Sequence, residues 1–390
     1  YLFLLFALVL VTGCTSSDMV NGNDGFKAEY NLKYKKHCEV FMKQPQLQLA
    51  NSLLVVVSFG NSDEVCQFYS VGNNVKRIGT YGRIGNGPGE FLQPLLTFAD
   101  GKCFGINDVN LSSLAILEIR KDKDTVYVDE LKRLKAPYKP SKESFVPKDV
   151  RFVKLGEKNF VSSLNAGNGC FFTLFDDSLQ PIARFGDAPV KDELSSYVMR
   201  SRLSGKTASN QNSFFYATID LPYLASYSLR DGDMVKDWEI FYKTPYSGIS
   251  GGDIKYIKEK STGPMKDIKV DDRYIYILYL DQLLSEYDYA VTEKSCANKV
   301  FVFNHKGEKV ACLNLDCRLS SIAIDSKNQK MYGVAEIPDV SLVEFVMPKE
   351  LFGIPSLYKF EGLSVYGPEK YDEWMKSSDS FLFSLKSNGR

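Results

Sequence analysis

Short apolar runs separated by polar turns repeat along most of the chain, and segments with the 3.6-residue period of an amphipathic helix are almost absent. One recurring unit is a strand, a polar turn and a second strand, as in residues 95–106. A second unit, as in residues 299–315, is an apolar run, a hairpin turn and another run. Asp-Gly, Lys-Gly and Asn-Asn pairs at the turns supply the positive φ angles of tight hairpins. Two units in series therefore predict a four-stranded antiparallel meander.

This series recurs about six times, as expected for small sheets arranged around a common axis. We therefore predict an all-β fold, a six-bladed β-propeller of four-stranded antiparallel blades. The continuous apolar run 274–280 supports this fold, because a blade packed between two neighbours is buried on both faces. The predicted blades lie near residues 53–80, 95–134, 149–186, 204–242, 265–315 and 319–347.

The sixth predicted blade shows only three clear strands. Residues 31–43 are one candidate for its outer strand, which would place both ends of the propeller in one blade and remove an exposed edge. Residues 356–365 are the other candidate. The sequence leaves this choice open.

The N-terminal segment predicts export and lipidation. Residues 1–11 are all apolar, a length typical of a signal-peptide core and too short for a membrane span. Residues 11–14, Val-Thr-Gly-Cys, resemble a bacterial lipobox, in which Cys14 carries the lipid. We expect a partial signal peptide at 1–13, a lipidated tether at 14–30, the propeller at 31–347 and a C-terminal extension at 348–390 that completes or caps the last blade.

Charge and cysteine content exclude several kinds of partner. Basic and acidic residues are equal in number, at 48 each, so we expect no nucleic-acid partner. The seven cysteines other than Cys14 contain no CxxC pair, and the chain has only two histidines, so a zinc site is not expected. The odd number of these cysteines also argues against a complete disulfide framework. We expect no cofactor, except Ca²⁺ if the protein is an enzyme.

The stretch GRIGNGPGEF, residues 82–91, is rich in glycine but does not fit a phosphate-binding loop. A Walker loop would end in Gly-Lys-Ser/Thr, whereas Gly89 is followed by Glu90 and Phe91. A dinucleotide-binding loop would need a glycine at position 90 and a following helix. We interpret the stretch as the crossover between the first and second blades.

Together, the lipobox, the GxGPGEF crossover at 85–91 and the blade units at 301–334 resemble the TolB-like six-bladed β-propeller lipoproteins of Bacteroidota. The blade units are also similar to those of NHL-type propellers. The resemblance covers roughly residues 31–347. It implies an extracytoplasmic propeller, lipid-anchored to the bacterial outer membrane on its periplasmic or its surface side, and it transfers no catalytic residue.

The long connections all fall on one predicted face of the propeller, the face that carries the crossovers and the turns between second and third strands. These connections are 135–147, 187–203, 243–264 and 281–297. Insertions concentrated on one face usually mark a binding surface. The candidate binding residues there are Arg83, Asn86, Glu90, Asp108, Asn110, Asn165, Asp220, Tyr223, Asp281, Glu286 and Tyr287.

Two functions follow as hypotheses. The sequence favours a binding or scaffolding module for a glycan, a peptide or a partner protein. The alternative is a hydrolase or lyase, with or without a metal, acting on carbohydrate-derived substrates. The motif GISGG at 248–252 matches a nucleophile elbow in sequence, but it lies in a predicted loop and lacks the strand and helix that an elbow needs. No catalytic residue is therefore assigned.

Overall fold

The computed structural model describes residues 25–40, 42, 45–58, 63–72, 74–123, 125–135, 152–162, 170–189, 194, 198, 201–286, 296–337 and 339–352. This part of the chain is nearly all β-strand. A second unit begins at Lys349, and its described part, residues 349–352, contains a short 3-10 helix at Lys349–Leu351. The described strands all lie in the unit that ends at Pro348.

Two N-terminal strands, β1 (Ala28–Leu32) and β2 (Tyr34–Glu39), precede four antiparallel meanders. Blade 1 contains β3 (Gln46–Ala50), β4 (Leu53–Val57), β5 (Glu64–Ser70), β6 (Arg77–Ile84) and the short β7 (Glu90–Phe91). Blade 2 contains β8 (Pro94–Asp100), β9 (Cys103–Asp108), β10 (Ser113–Asp122) and β11 (Thr125–Lys135). Blade 3 contains β12 (Val153–Leu155), β13 (Asn159–Ser162), β14 (Phe172–Phe175) and β15 (Pro181–Phe185). Blade 4 contains β16 (Gly205–Ser209), β17 (Ser213–Thr218), β18 (Tyr223–Arg230) and β19 (Asp233–Phe241).

A hairpin follows blade 4, formed by β20 (Ser247–Ser250) and β21 (Asp253–Tyr256). The remaining strands are β22 (Met265–Val270), β23 (Tyr274–Tyr279), β24 (Ala297–Asn304), β25 (Lys309–Asp325), β26 (Lys330–Ile337) and β27 (Asp339–Val346). The first part of β25 pairs with β24 and its last part pairs with β26. A single long strand is therefore the fourth strand of blade 5 and the first strand of blade 6.

The six blades form a closed ring around their first strands. Along the ring, β3, β8, β12, β16, β22 and the end of β25 each contact the next, and β25 contacts β3. Several bonds join these inner strands: Leu96 N to Gln46 Oε1 at 2.8 Å, Lys154 Nζ to Asp100 Oδ2 at 2.6 Å, Ser321 Oγ to Asp267 Oδ2 at 2.8 Å and Leu47 N to Ser321 Oγ at 3.1 Å. Met265 N, at the start of β22, also donates to Ile219 O, just after β17, at 2.9 Å. The prediction of a six-bladed all-β fold is confirmed.

The hydrophobic core lies between blades. One cluster packs Phe68 of blade 1 against Phe104 of blade 2, with ring centroids 5.9 Å apart. Another packs Leu54 of blade 1 against Tyr332 of blade 6, across the point where the ring closes. All of β4 is buried, whereas the outer strand β19 alternates between exposed and partly buried residues. β4, the second strand of blade 1, is continuously apolar because it is covered on both faces.

The N-terminal segment supplies the missing strand of blade 6. The antiparallel pairing of β2 with β27 covers the outer edge of that blade, and residues 356–365, the rival candidate, lie outside the described residues. β1 pairs in parallel with β25, from Ala28 opposite Ala311 to Leu32 opposite Leu315. Residues 28–30, expected in the tether, therefore belong to this strand, because the free edge of β25 offers hydrogen-bond partners to an extended segment.

Candidate functional site

A cleft of about 630 Å³ lies beside the connection between blades 4 and 5. It is lined by the end of β19, the connecting segment and the start of β25: Phe241, Tyr242, Lys243, Thr244, Pro245, Tyr246, Lys260, Thr262 and Lys309. This volume is in the range of small-molecule sites. The lining contains three lysines and no carboxylate, so the cleft favours a negatively charged ligand.

Aromatic rings are accessible at the cleft. Phe241 is 43% exposed and Tyr246 is 42% exposed, which is unusual for large apolar side chains. Tyr242 is fully buried, and its hydroxyl has no hydrogen-bond partner among the described residues. Burial raises the pKa of the Tyr242 phenol well above its ordinary value, so the hydroxyl keeps its proton and can act as a donor.

The three lysines of the cleft differ in their surroundings. Lys243 pairs with Asp281, which also pairs with Lys299 Nζ at 2.6 Å. Burial would raise the pKa of Asp281, but the two ammonium groups hold it below its ordinary value. Lys309 Nζ lies 5.3 Å from the centre of the Phe26 ring. Lys260 is exposed and forms no ion pair within the described part of the chain. The site therefore combines positioned and accessible positive charges.

Five of the predicted binding residues lie together at the crossover from blade 1 to blade 2. Asp108 is fully buried and accepts hydrogen bonds from Leu92 N at 2.6 Å, Gln93 N at 3.3 Å and Leu111 N at 2.9 Å. Glu90 folds back under the crossover and accepts from Gly87 N at 2.8 Å. These carboxylates organise the loop. The other three, all exposed, are Arg83, Asn86 and Asn110.

The remaining predicted residues are spread over blades 4 and 5. Tyr223 is buried and donates to Glu239 Oε2 at 2.6 Å. Asp281, through its pair with Lys243, lies beside the cleft, and Glu286 is exposed at the end of the described part of that connection. Asp220 follows β17 and is partly buried. Asn165 and Tyr287 lie outside the described residues.

The segment 243–264 belongs to the predicted binding face, but none of its residues is among the predicted binding residues. A signal was present, because the stretch from Phe241 to Lys260 combines aromatic residues and lysines with few acids. Lys309 carried no such signal. It lies in a strand of blade 5, and only the packing of that blade against the connecting segment brings it to the cleft.

A second polar group lies near the inner strands of blades 4 and 5. Burial, together with the nearby charge of Lys206, lowers the pKa of Lys266 to about 8. Burial also raises the pKa of Asp220, with Arg202 and Lys266 partly opposing the shift. Paired shifts of this kind occur at catalytic sites and also in structural networks.

The GISGG segment is a tight hairpin. Ser250 ends β20, Asp253 begins β21, and Gly251 and Gly252 occupy the turn with φ of 61° and 71°. These positive φ angles are the reason for the two glycines. His305 lies in another turn, where its Nε2 is 2.9 Å from Asp271 O. The strand, serine and helix of a nucleophile elbow are therefore not formed in this segment.

Metal clusters, disulfides and membrane-spanning helices are absent from the described part of the chain. No group of three or more His, Cys, Asp and Glu side chains there could hold a metal ion. The seven cysteines of this part form no disulfide with one another. None of its helices is long and apolar enough to cross a membrane.

Six antiparallel meanders, closed in a ring around their inner strands and packed face to face, define a six-bladed β-propeller. A family model described as "TolB-like 6-blade propeller-like" matches residues 24–327. The chain belongs to this TolB-like six-blade propeller family. A propeller of this kind is in general a binding or scaffolding module.

Solved structures show likeness at low sequence identity. Hsv2 from Kluyveromyces lactis is 12% identical, with a TM-score of 0.37 over 75% of this chain and 72% of that one. A structural-genomics protein from Lactobacillus plantarum is 12% identical, with a TM-score of 0.42 over 78% of this chain and 82% of that one. Neither likeness bears on what this chain binds. No curated protein matches the sequence.

Proposed function

We propose that the protein is a binding module of the bacterial cell envelope that holds its ligand in the cleft between blades 4 and 5. The observation that carries this proposal is the lining itself, because exposed aromatic rings, hydroxyls and lysines converge there on one cavity. Accessible rings supply contact area and the polar groups supply orientation, which together are typical of ligand sites.

A thermal-shift screen with glycans, peptides and divalent ions tests this function, since a ligand that binds only the folded state raises the melting temperature. The screen compares the unmodified protein with Tyr246→Ala and with Tyr127→Ala, a similarly exposed tyrosine on blade 2. We expect the stabilising ligand to lose its effect on Tyr246→Ala alone. A ligand that stabilises all three proteins equally would place the site elsewhere.

The proposal also includes a lipid anchor on Cys14 in the outer membrane, on its periplasmic or surface side. Its support is the apolar run at 1–11 followed by Val-Thr-Gly-Cys, which resembles a lipobox. Replacing Cys14 with serine is expected to release the protein from membranes into the soluble fraction. Full membrane association of this variant would contradict the anchor.

The second candidate function is a hydrolase or lyase acting on carbohydrate-derived substrates. The observation that favours it is the neighbouring pair of Asp220 and Lys266, a carboxyl with a raised pKa and an amine with a pKa of about 8. Turnover of a glycan that is abolished in Lys266→Met, with its binding retained, would establish this function. Binding without turnover would favour the module.

A further inference from the structure

The chemistry of the cleft restricts the class of ligand. Lys243, Lys260 and Lys309 contribute positive charge to a lining that contains no carboxylate, and Lys243 shares the neighbouring Asp281 with Lys299. A basic peptide would be repelled by this lining, and a neutral ligand would not use it. The ligand therefore carries negative charge.

The uncharged lining points to a hydroxyl-rich ligand with apolar faces. Phe241 and Tyr246 are exposed rings against which the C–H face of a sugar packs, while Thr244 and Thr262 bring hydroxyls to the same cavity.

We infer that the cleft binds an anionic saccharide, whose carboxylate or sulfate groups pair with the lysines while its sugar rings pack on Phe241 and Tyr246. This inference rests on the proposed function, because it specifies the ligand of the same cleft. The connection between blades 4 and 5 is then the specificity-determining segment of the protein.

Calorimetric titration of the full-length protein tests the inference with four probes. These are trigalacturonate, a sulfated heparin tetrasaccharide, the neutral maltotriose, and vesicles of phosphatidylcholine and phosphatidylglycerol in equal parts. We expect one or both anionic saccharides to bind, with an affinity that falls as salt is raised, and no binding of maltotriose. Preference for one anionic probe identifies carboxylate or sulfate as the recognised group.

Matched variants localise the binding. Tyr246→Ala removes an exposed ring of the cleft and is expected to weaken binding about fivefold, as for the loss of one ring contact. Its melting temperature without ligand should change little, since the removed ring is largely exposed. Tyr127→Ala, at a similarly exposed tyrosine of blade 2, is the control. Lys260→Ala and Lys309→Ala are each expected to weaken binding about threefold or more, whereas Lys306→Ala, in the exposed turn before β25, should not.

Several results would overturn the inference. These are failure of both anionic saccharides to bind, equal binding of maltotriose, binding to the vesicles instead, or affinities that the cleft variants leave unchanged. The proposed function survives if another ligand from the thermal-shift screen depends on Tyr246. It fails together with the inference if no ligand depends on the cleft.

Discussion

At the residue scale, the role of a polar side chain in this protein depends on its hydrogen-bond partners. Asp108 looks like a ligand-binding carboxylate in the sequence, but its oxygens accept three backbone hydrogen bonds that fix the crossover and the following turn. A buried carboxylate is stable only when such donors surround it. Tyr242, which carries no signal in the sequence, has a buried hydroxyl without a hydrogen-bond partner among the described residues. Only the packing distinguishes the two situations.

A residue-scale prediction concerns Lys266. Its folded-state pKa of about 8 lies below the ordinary value of 10.5, so between these pH values the unfolded chain binds more protons than the folded one. The burial penalty is full below pH 8 and is relieved as pH rises toward 10.5. Lys266→Met should therefore raise the free energy of unfolding by about 2–3 kcal/mol at pH 7, and by much less at pH 10.

Urea denaturation of the unmodified protein and the variant at both pH values checks this prediction. Lys306→Met, in an exposed turn, is the control and should show little change at either pH. If the gain in the free energy of unfolding from Lys266→Met is larger at pH 10 than at pH 7, the lowered pKa of Lys266 is contradicted.

At the scale of elements, the GPGEF crossover is held in place by contacts with the neighbouring strands. β7 pairs in parallel with β6, Phe91 is fully buried, and Arg133 lies 4.6 Å above its ring. The side chain of Glu90 fills the space beside Gly85, where an added Cβ would lie 2.1 Å from its Oε2. A side chain at position 85 would therefore displace this carboxylate.

The contact between Gly85 and Glu90 predicts that mutations at these two positions have coupled effects on stability. Gly85→Ala should destabilise the protein by about 1–3 kcal/mol, because the methyl group displaces the Glu90 carboxylate from Gly87 N. In the Glu90→Ala background the same change should cost clearly less, since the clash is gone. Chemical denaturation of the four proteins of the cycle measures the coupling. Strictly additive effects would show that the two residues do not interact.

At the scale of the whole molecule, the ring is closed by a segment far away in sequence. β2 completes blade 6, and His37 in that strand lies 3.1 Å from Glu344 Oε2, with both side chains nearly inaccessible. Glu344 also pairs with Lys330 at 3.0 Å. Since the hydrophobic clusters lie between blades, loss of closure would expose apolar surface on blade 1 as well as blade 6.

Glu344→Ala tests the closure. The change leaves the nearly buried His37 and Lys330 without their carboxylate partner, so we expect a loss of about 3 kcal/mol in the free energy of unfolding. The exposed Glu157→Ala is the control and should change stability by less than about 0.5 kcal/mol. A loss no larger than that of the control would show that this pair does not hold the ring together.

The fold could be predicted in detail because its repeating pattern is local. The alternation of apolar and polar residues, the turn residues and the long apolar runs can each be recognised from residues adjacent in the sequence. One such run is Ile275 to Leu280, which is buried in the structure. Turn residues also indicate four connections between blades and, at Asp231-Gly232, a tight turn whose φ angles are 51° and 92°. The sequence does not show that β25 belongs to two blades, because no turn residues mark the point where this strand passes from blade 5 to blade 6.

The sequence by itself determined the class of fold, the number of blades and the crossover at GPGEF, because short-range periodicity and turn chemistry specify antiparallel meanders. The tertiary structure decided which chain end closes the ring and which side chains form the cleft. Both depend on contacts between segments distant in the chain, such as β2 with β27 and Lys309 with the connection after β19. Such contacts are fixed by packing between blades, which no local pattern encodes.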